Sequence, residues 1–541
     1  MNKTIHLMAL VTMLFCFTNE VKCEKVVWGN WPAWGDMNDG TYRNPILPAD
    51  FSDIDCIEHD GWYYAISSTF QFSPGMVILK SSDMVNWHII SHAVPDVSQI
   101  GPNMNWDRMN RYACGIWAGS IRWHDGLFYV YFGTPDEGMF MTTAPCAEGP
   151  WAPLHKMNFF EAGWDDCCPL FDDDGKKYFV ASNFANNYKT YIFRLTDDGR
   201  DIVPETATLV NEGMWREANK LYKINGTYYH LFSEYDGKGR YLMMQRAKAP
   251  MGPYTEKHQL SHMQVEYNEP NQGGYLQDGE GKWYYFTHHG HGDWTGRIAS
   301  LLPVTWTDGW PIIGQPDKDD IGNMVWQLPK PVTAKAKKEK GLGGNVYQDL
   351  RDFTDPSWEW NYQPREGWYA IQRKSLQLKA FQPIEKGNLL KAGNTIVQRV
   401  WRSTDNEVTV RMDCRQMADG QRSGLCHFAE DWMEMGVRQE NGQRKLYFRT
   451  RKQGDNADVI YSGLIDYIYL RSQWGLDGLC TQSYSIDGRK FTEIPQHYQM
   501  SWGNYRGDRV GLYTYNDSAD QGSTTFDRFR YRVTRQNAGK K

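Results

Sequence analysis

The chain has 541 residues, which is more than one ordinary domain and predicts two or three. Its 59 lysines and arginines nearly balance 65 aspartates and glutamates, for a net charge of −6, and this excludes the basic surface typical of nucleic-acid-binding proteins. Charged residues at 23% and hydrophobic residues at 41% also exclude intrinsic disorder. The aromatic content of 14%, together with 50 glycines, favours many short strands joined by tight turns.

The N-terminus has the pattern of an export signal. Lys3 precedes an apolar run at 5–17 and a polar stretch that ends at Lys22. The run is too short to span a bilayer, so residues 1–23 are predicted to be a signal peptide that is removed before Glu24. No later apolar run reaches the length of a membrane span. We therefore expect an exported protein, periplasmic or extracellular, without a transmembrane segment.

An internal repeat follows the signal peptide. A glycine-bearing turn with an aromatic strand behind it occurs five times, about every 50 to 65 residues, at Gly61, Gly126, Gly175, Gly226 and Gly281. The Asp-Gly and Asn-Gly pairs favour type I′ hairpin turns, and the aromatic and β-branched flanks favour strands. Strand repeats of this length without amphipathic helices indicate the blades of a β-propeller. Residues 24–328 are therefore predicted to form five blades.

A second all-β region is predicted after a linker. Residues 329–344 combine Pro329 and Pro331 with a run of lysines, which is typical of a linker. In residues 345–541 apolar and polar residues alternate, most clearly at 407–412 and 526–533, and a hairpin turn is predicted at 487–488. The predicted fold class is all-β, a five-bladed β-propeller followed by a β-sandwich of the jelly-roll type.

The repeat places one residue at an equivalent position upstream of each turn, eight or nine residues before the glycine. These residues are Asp53, Trp117, Asp166, Glu217 and Gln272. Equivalent positions of a propeller surround its axis, so we expect three carboxylates, one tryptophan and one glutamine to meet in one funnel. Repulsion and burial raise the pKa of one such carboxyl while neighbouring groups keep another ionised. An acid that carries its proton and faces an ionised base is what cleavage of a glycosidic bond requires.

Three neighbouring carboxylates are rivals for these roles. Asp55 shares a strand face with Asp53 by alternation and stays an alternative. Asp165 is expected to point away from Asp166, and Glu212 is expected to lie in a loop.

Several segments in sequence order resemble glycoside hydrolase family 43, whose members are five-bladed propellers that remove arabinofuranosyl or xylosyl units with inversion of configuration. The matching segments are 44–53, 82–87, 115–118, 164–166, 216–222, 296–297 and 308–311. The resemblance covers residues 44 to about 315. Residues 352–365 are similar to the start of the concanavalin-like sandwich that follows the propeller in the β-xylosidase-type members.

The resemblance implies a role for each of the three carboxylates. Asp53 matches the general base that activates water, and Glu217 matches the general acid that protonates the leaving oxygen. Asp166 matches the carboxylate that orients the acid and keeps its pKa raised. Inversion would place the carboxyl groups of Asp53 and Glu217 about 6.5–9.5 Å apart, with room for a water between them.

Four further residues are predicted to bind substrate, namely Phe70, Trp117, Gln272 and Arg297.

Two departures from the family pattern matter. The base lies in Ser-Asp-Ile-Asp at 52–55 rather than in Pro-Asp-Pro-Ser, which keeps Asp55 in competition. Gln272 stands where many members carry a histidine that in some helps to hold a cation. We therefore predict that no cofactor is required and assign no metal ligand; a structural cation in the propeller channel lacks support from the sequence.

The histidines at 288–291 predict no metal site either, because consecutive residues of a strand point to opposite faces.

The predicted function is an inverting, exo-acting hydrolase that removes terminal xylosyl or arabinofuranosyl units from plant oligo- or polysaccharides. The alternative is a glycan-binding propeller without catalysis. The choice of sugar, the polymer, glycan binding by the sandwich, the oligomeric state and the pairing of the cysteines stay open.

Overall fold

The computed structural model describes residues 35–37, 39–262, 270–290, 293–333, 346–454 and 456–534. The predicted signal peptide and residues 334–345, which hold most of the predicted linker, lie outside these ranges. The described ranges are almost entirely strand, with four single-turn 3-10 helices at Val97–Gln99, Pro102–Met104, Leu389–Lys391 and Arg451–Gln453. None of the helices in this part of the chain has the length and apolarity that crossing a membrane requires.

Five antiparallel sheets of four strands each form the propeller, so the predicted five blades are confirmed. Blade 1 contains Asp55–His59, Trp62–Ser67, Gly75–Ser81 and Trp87–Val94. Blade 2 contains Gly119–His124, Leu127–Thr134, Gly138–Ala144 and His155–Lys156. Blade 3 contains Trp164–Phe171, Lys177–Asn183, Lys189–Leu195 and Ile202–Asn211. Blade 4 contains Glu217–Ile224, Thr227–Tyr235, Arg240–Ala247 and Glu256–Gln259. Blade 5 contains Gly273–Gln277, Trp283–His289, Ile298–Thr307 and Trp310–Ile313.

The five predicted turns each join the first and second strands of their blade. At residues 60–61, 125–126 and 225–226 both central residues have positive φ, which is the type I′ geometry that Asp-Gly and Asn-Gly pairs favour. The turn chemistry therefore sets the register of the first hairpin in these blades, and with it the residue at which each inner strand begins.

The ends of the propeller are held together by backbone hydrogen bonds. Leu47, ahead of blade 1, exchanges N–H to C=O bonds of 3.1 and 3.0 Å with Ala299 of blade 5. Farther out, Thr41–Arg43 pairs with Gln327–Pro329 in a two-stranded ribbon. A second ribbon, Gln315–Pro316 with Gly322–Asn323, follows blade 5. Residue 329, where the linker is predicted to begin, thus still belongs to a strand.

The predicted sandwich is confirmed as two packed sheets of eight strands each. The first sheet contains Val346–Leu350, Tyr369–Gln372, Ser375–Lys379, Asp405–Asp413, Tyr467–Trp474, Leu479–Ser485, Thr492–Gln499 and Ser523–Thr534. The second contains Phe72–Ser73, Glu359–Asn361, Asn394–Arg399, Gln421–His427, Met433–Glu440, Gln443–Thr450, Asp458–Tyr461 and Arg509–Asn516. The alternating segments 407–412 and 526–533 lie within strands, and the turn at 487–488 joins two neighbouring strands of the first sheet.

The propeller contributes a strand to one sheet of the sandwich. The short strand Phe72–Ser73 belongs to the propeller but extends a sandwich sheet by pairing with Glu359–Asn361. A buried ion pair adds to this contact, because Arg509 of the sandwich lies 2.9 Å from Asp50 of the propeller. Arg399, which lies 2.9 Å from Glu359 within the sandwich, also donates 2.7 Å to the carbonyl of Asp50. Burial alone would raise the pKa of Glu359, but the guanidinium of Arg399 and other neighbouring cations lower it to about 2. The sandwich is therefore fixed against one side of the propeller.

We predict that Glu359→Ala destabilises the whole chain. The change leaves Arg399 buried without its carboxylate, and loss of one partner of a buried ion pair costs about 3–5 kcal/mol in the free energy of unfolding. Urea unfolding at pH 7 measures this loss, with exposed Glu366→Ala as the matched control. Because the pKa of Glu359 is about 2 in the fold against an ordinary 4.5, its contribution is present above pH 4.5 and fades as the pH falls towards 2. An equal loss in both variants, or a loss that does not depend on pH in this range, would contradict the prediction.

Candidate active site

A cavity of about 600 Å³ lies where the inner strands of the five blades begin. The five residues that the repeat aligns all line it: Asp53, Trp117, Asp166, Glu217 and Gln272. Each comes from the start of a different blade. Phe70 and Arg297 line it as well, so the structure brings together every residue that the sequence singles out for catalysis or substrate binding.

Several residues at or beside the cavity have the left-handed backbone conformation that non-glycine residues rarely adopt, and three of them lie at or next to the aligned carboxylates. These three are Asp53, Asp166 and Ala218, with φ of 56°, 49° and 64°. Each costs about 1–3 kcal/mol, and such residues cluster at functional sites. The register of the inner strands of blades 3 and 4 shifts at the same places. Strand alternation therefore fails here, and the prediction that Asp165 points away from Asp166 is wrong, since both line the cavity.

Asp53 is held from two sides. Its backbone N–H donates to Nδ1 of His288 over 2.7 Å, and its Oδ1 accepts a hydrogen bond of 2.8 Å from Arg297. Burial, with a further contribution from the charge of Arg297, lowers the pKa of His288 well below its ordinary value. The imidazole is therefore neutral and free to accept at Nδ1. This arrangement presents Asp53 to the cavity as a carboxylate in a charge-assisted hydrogen bond.

The rival carboxylates serve other contacts. Asp55 is fully buried outside the cavity lining, where it accepts hydrogen bonds from the N–H of Ile121 over 2.9 Å and from Arg122 over 2.7 Å. This ion pair makes Asp55 a structural residue and leaves Asp53 as the carboxylate of blade 1 at the site. Glu212 lies in a loop, as predicted, where it accepts a hydrogen bond from Asn187.

Glu217 has the properties of an acid that works near neutral pH. Burial raises the pKa of Glu217 to about 7; Arg240, which is ion-paired with it, opposes the rise, and the charge of Asp166 adds to it. A carboxyl with this pKa holds its proton in a large fraction of molecules near neutral pH. General acid catalysis is most efficient when the pKa lies close to the working pH.

Asp166 fixes the strand that carries Glu217. Its Oδ2 accepts a 2.6 Å hydrogen bond from the N–H of Ala218, the residue after the acid, and its Oδ1 accepts a 2.5 Å bond from Gln272. Burial raises the pKa of Asp166, whereas the Ala218 N–H and the ammonium of Lys220 lower it. Asp166 thus holds the backbone next to Glu217 from a neighbouring blade.

Aromatic rings form much of the remaining wall. The ring of Trp117 lies 6.0 Å from that of Phe184 and 5.8 Å from that of Tyr505, and Tyr188 lies 5.5 Å from Trp215. Flat aromatic faces of this kind suit the apolar faces of sugar rings. The guanidinium of Arg297 lies 5.6 Å from the ring of Tyr505.

Sequence reasoning missed a cation, two residues of the sandwich and the propeller aromatics Phe184, Tyr188 and Trp215 at this site. Arg240 begins the third strand of blade 4, away from the aligned positions, and no motif marks it. Trp502 and Tyr505 reach the cavity from the sandwich. Their only local signal is a loop at 501–507 in which aromatic residues stand beside glycines, and nothing in that loop says that it crosses to the propeller.

The channel below the cavity does not fit a divalent cation. Within the described ranges no three His, Cys, Asp or Glu side chains are grouped to hold a metal ion. The buried ammonium of Lys220 lies there instead, donating 2.9 Å to the carbonyl of Gly119 and 3.1 Å to Oγ of Ser120. His288 offers its Nδ1 to Asp53, and His291 lies outside the described residues.

Comparison with known families matches both domains. Residues 42–311 match the family described as glycosyl hydrolases family 43, and residues 351–532 match the β-xylosidase C-terminal concanavalin A-like domain. A β-xylosidase of Formosa agariphila is 30% identical over 98% of this chain and 97% of its own length. A non-reducing end α-L-arabinofuranosidase of Bacteroides ovatus is 28% identical over 67% of this chain and 69% of its own length.

Solved structures share the two-domain fold. A family 43 hydrolase engineered to show both endo-xylanase and exo-arabinofuranosidase activity superposes with a TM-score of 0.76 at 25% identity, over 91% of this chain and 100% of that one. A xylan β-1,4-xylosidase of Bacillus halodurans gives a TM-score of 0.74 at 20% identity, over 91% of this chain and 100% of its own. At the latter identity the likeness concerns the fold alone.

We predict that Arg240→Met raises the pKa of Glu217 above 7, because the change removes the cation that stabilises the ionised carboxylate. A ¹³C NMR titration of protein labelled at the glutamate carboxyls measures this, with Glu217→Gln identifying the resonance. The control is Arg246→Met on the same strand, which breaks an exposed ion pair with Glu256 and leaves the titration unchanged. A pKa that stays the same or falls in Arg240→Met would contradict the prediction.

Proposed function

Because the chain belongs to glycosyl hydrolase family 43, we propose that it is an inverting, exo-acting enzyme that removes terminal xylosyl or arabinofuranosyl units from plant oligo- and polysaccharides. The chain is a glycosidase with β-xylosidase and arabinofuranosidase relatives. One observation carries the finer proposal. The carboxyl of Glu217, with its pKa near 7, lies in the same cavity as Asp53, which Arg297 binds directly.

The proposed reaction is a single displacement at the anomeric carbon. Asp53 takes a proton from water as its oxygen attacks that carbon, and the bond from the carbon to the leaving oxygen breaks. Glu217 gives its proton to the leaving oxygen, so charge and protons balance with one carboxyl gaining a proton and the other losing one. Asp166 holds Glu217 in place through the N–H of Ala218. Phe70, Trp117, Gln272 and Arg297 bind the sugar.

The shape of the site supports exo action. The cavity wall combines residues from all five blades with Trp502 and Tyr505, which the sandwich adds to its rim. A polymer that passed through would need a groove open at both ends. The proposal is that a chain end enters the cavity and that the unit at that end is the one removed.

The relatives favour xylosyl units as the first substrate to test. The β-xylosidase of Formosa agariphila aligns with both domains of this chain, whereas the arabinofuranosidase of Bacteroides ovatus covers 67% of it. The export predicted from residues 1–23 agrees with a polymeric substrate, because such polymers are met outside the cytoplasm.

We predict that the two carboxylates respond differently to the leaving group. Glu217→Gln lowers kcat on xylobiose by about 10²–10⁴-fold, because the departing sugar oxygen needs a proton. The same variant stays close to wild type on 2,4-dinitrophenyl β-D-xyloside, whose leaving group departs without one. Asp53→Asn loses activity on both, because water activation is needed for either. Steady-state kinetics on xylosides and on the matching α-L-arabinofuranosides measure this.

The control variant is Glu212→Gln, which lies five residues before Glu217 but outside the cavity lining and keeps wild-type kinetics. ¹H NMR of the first product formed identifies its anomer, and inversion gives α-xylose from a β-xyloside. Retention of configuration would contradict the mechanism. Binding of xylo-oligosaccharides without hydrolysis by wild-type protein would favour the alternative of a glycan-binding propeller.

A further inference from the structure

One charged side chain on the propeller axis has no role in the mechanism so far. Lys220 lies three residues after Glu217 on the inner strand of blade 4 and is 1% exposed. Its ammonium donates to the carbonyl of Gly119 and to Oγ of Ser120, both at the start of blade 2. Ser120 in turn donates to the carbonyl of Cys167 in blade 3 over 2.6 Å. The side chain therefore crosses the axis and connects three blades.

The ammonium is buried without a directly bound counter-ion. In the ranges that the structure describes, no carboxylate lies within 4 Å of Lys220 Nζ, and its two hydrogen-bond acceptors are uncharged. Burial of an unpaired charge is costly, so a residue of this kind needs compensation from charges farther away. Asp166, whose pKa the Lys220 charge lowers, supplies it.

Groups from several blades face this charge. Its field acts on Cys56 of blade 1, on Asp166 and Cys167 of blade 3, and on His288 of blade 5, and it lowers the pKa of each. The thiols of Cys56 and Cys167 and the imidazole of His288 are neutral. Asp166 is thus the acidic group through which Lys220 can influence the reaction.

We propose that the Lys220 ammonium is the resident cation of the propeller channel, and that it acts as a positioning residue which keeps Asp166 ionised beneath Glu217. It supplies from the chain itself the positive charge that a bound metal ion would otherwise bring. The proposal rests on the proposed function only for its kinetic consequence.

The kinetic consequence of the Lys220 charge depends on the pKa values of Asp166 and Glu217. The Lys220 charge favours the ionised form of Asp166 against the effect of burial. The negative charge of Asp166 then helps to keep the pKa of Glu217 raised. Loss of the ammonium would let Asp166 hold a proton, and Glu217 would lose its own at lower pH. The other charged and titratable groups that face Glu217 or Asp166 are Arg240, Arg297, Asp53, Asp165 and Tyr188.

Lys220→Met tests this with the same ¹³C titration of Glu217 described above. We expect its pKa to fall by roughly one unit, opposite in sign to Arg240→Met. In kinetics, the alkaline limb of kcat/KM moves to lower pH by the same amount, and kcat falls while KM changes little. Lys220→Gln removes the charge but can still donate to Gly119 or Ser120, and it is the second variant should Lys220→Met fail to fold. An unchanged pKa of Glu217 in a folded variant overturns the proposal.

Two controls separate charge from packing. Lys223→Met, on the same strand but bound to Asp172 and Asp173, leaves the titration unchanged. In an Asp166→Asn background the carboxyl through which Lys220 acts is absent, so adding Lys220→Met produces no further shift. A full additional shift there would show that Lys220 acts by another route and would overturn the proposal.

Thermal unfolding, which needs no substrate, tests whether a metal ion binds the native protein. A ligand that binds the native state raises Tm, so added Ca²⁺ should leave the Tm of wild-type protein unchanged, and so should EDTA. A rise with Ca²⁺ or a fall with EDTA would place a metal ion in the channel and overturn the proposal. The NMR and unfolding results stand even if the protein hydrolyses none of the glycosides tested, in which case the proposed function fails and the role of Lys220 is still decided.

Discussion

The site depends on one electrostatic constraint, the repulsion among carboxylates that the propeller brings into a single buried cavity. Like charges that are buried together cannot all be ionised without compensation. Three cations provide it: Arg297 binds Asp53 and also acts on Glu217, Arg240 pairs with Glu217, and the charge of Lys220 acts on Asp166. Burial raises the pKa of Glu217 to about 7; Arg240 and Arg297 oppose the rise, and the charge of Asp166 adds to it.

The sandwich takes part in this arrangement through Asp50, three residues before Asp53. One carboxylate oxygen of Asp50 accepts the backbone N–H of Arg297, and the other accepts from Arg509 of the sandwich. Arg399 of the sandwich also donates to the carbonyl of Asp50. The same domain that contributes Trp502 and Tyr505 to the wall therefore anchors the segment of the base and its arginine. A buried ion pair, Arg509 with Asp50, thus joins the two domains beside their shared apolar cluster.

The sequence predicted the architecture because the information is local and repeated. Asp-Gly and Asn-Gly turns define the hairpins, and counting back from each glycine identified Asp53, Trp117, Asp166, Glu217 and Gln272. The same reasoning failed at Asp165, where a left-handed residue and a shifted register break the alternation of the strand. It left Asp55 as an alternative, since its partner Arg122 lies on the next blade and no spacing along the chain reveals the pair.

What the sequence determined by itself is the fold class, the number of blades and the ring of residues at their inner ends, because hairpin turns and strand periodicity act over a few residues. The tertiary structure alone decided which charges meet. Arg240 and Lys220 belong to the blade of the acid, Arg297 comes from blade 5, and Trp502 and Tyr505 come from the other domain. Electrostatic and packing interactions depend on distance in space, and closure of the ring brings together residues far apart in the chain. The raised pKa of Glu217 follows from its burial in that closed ring.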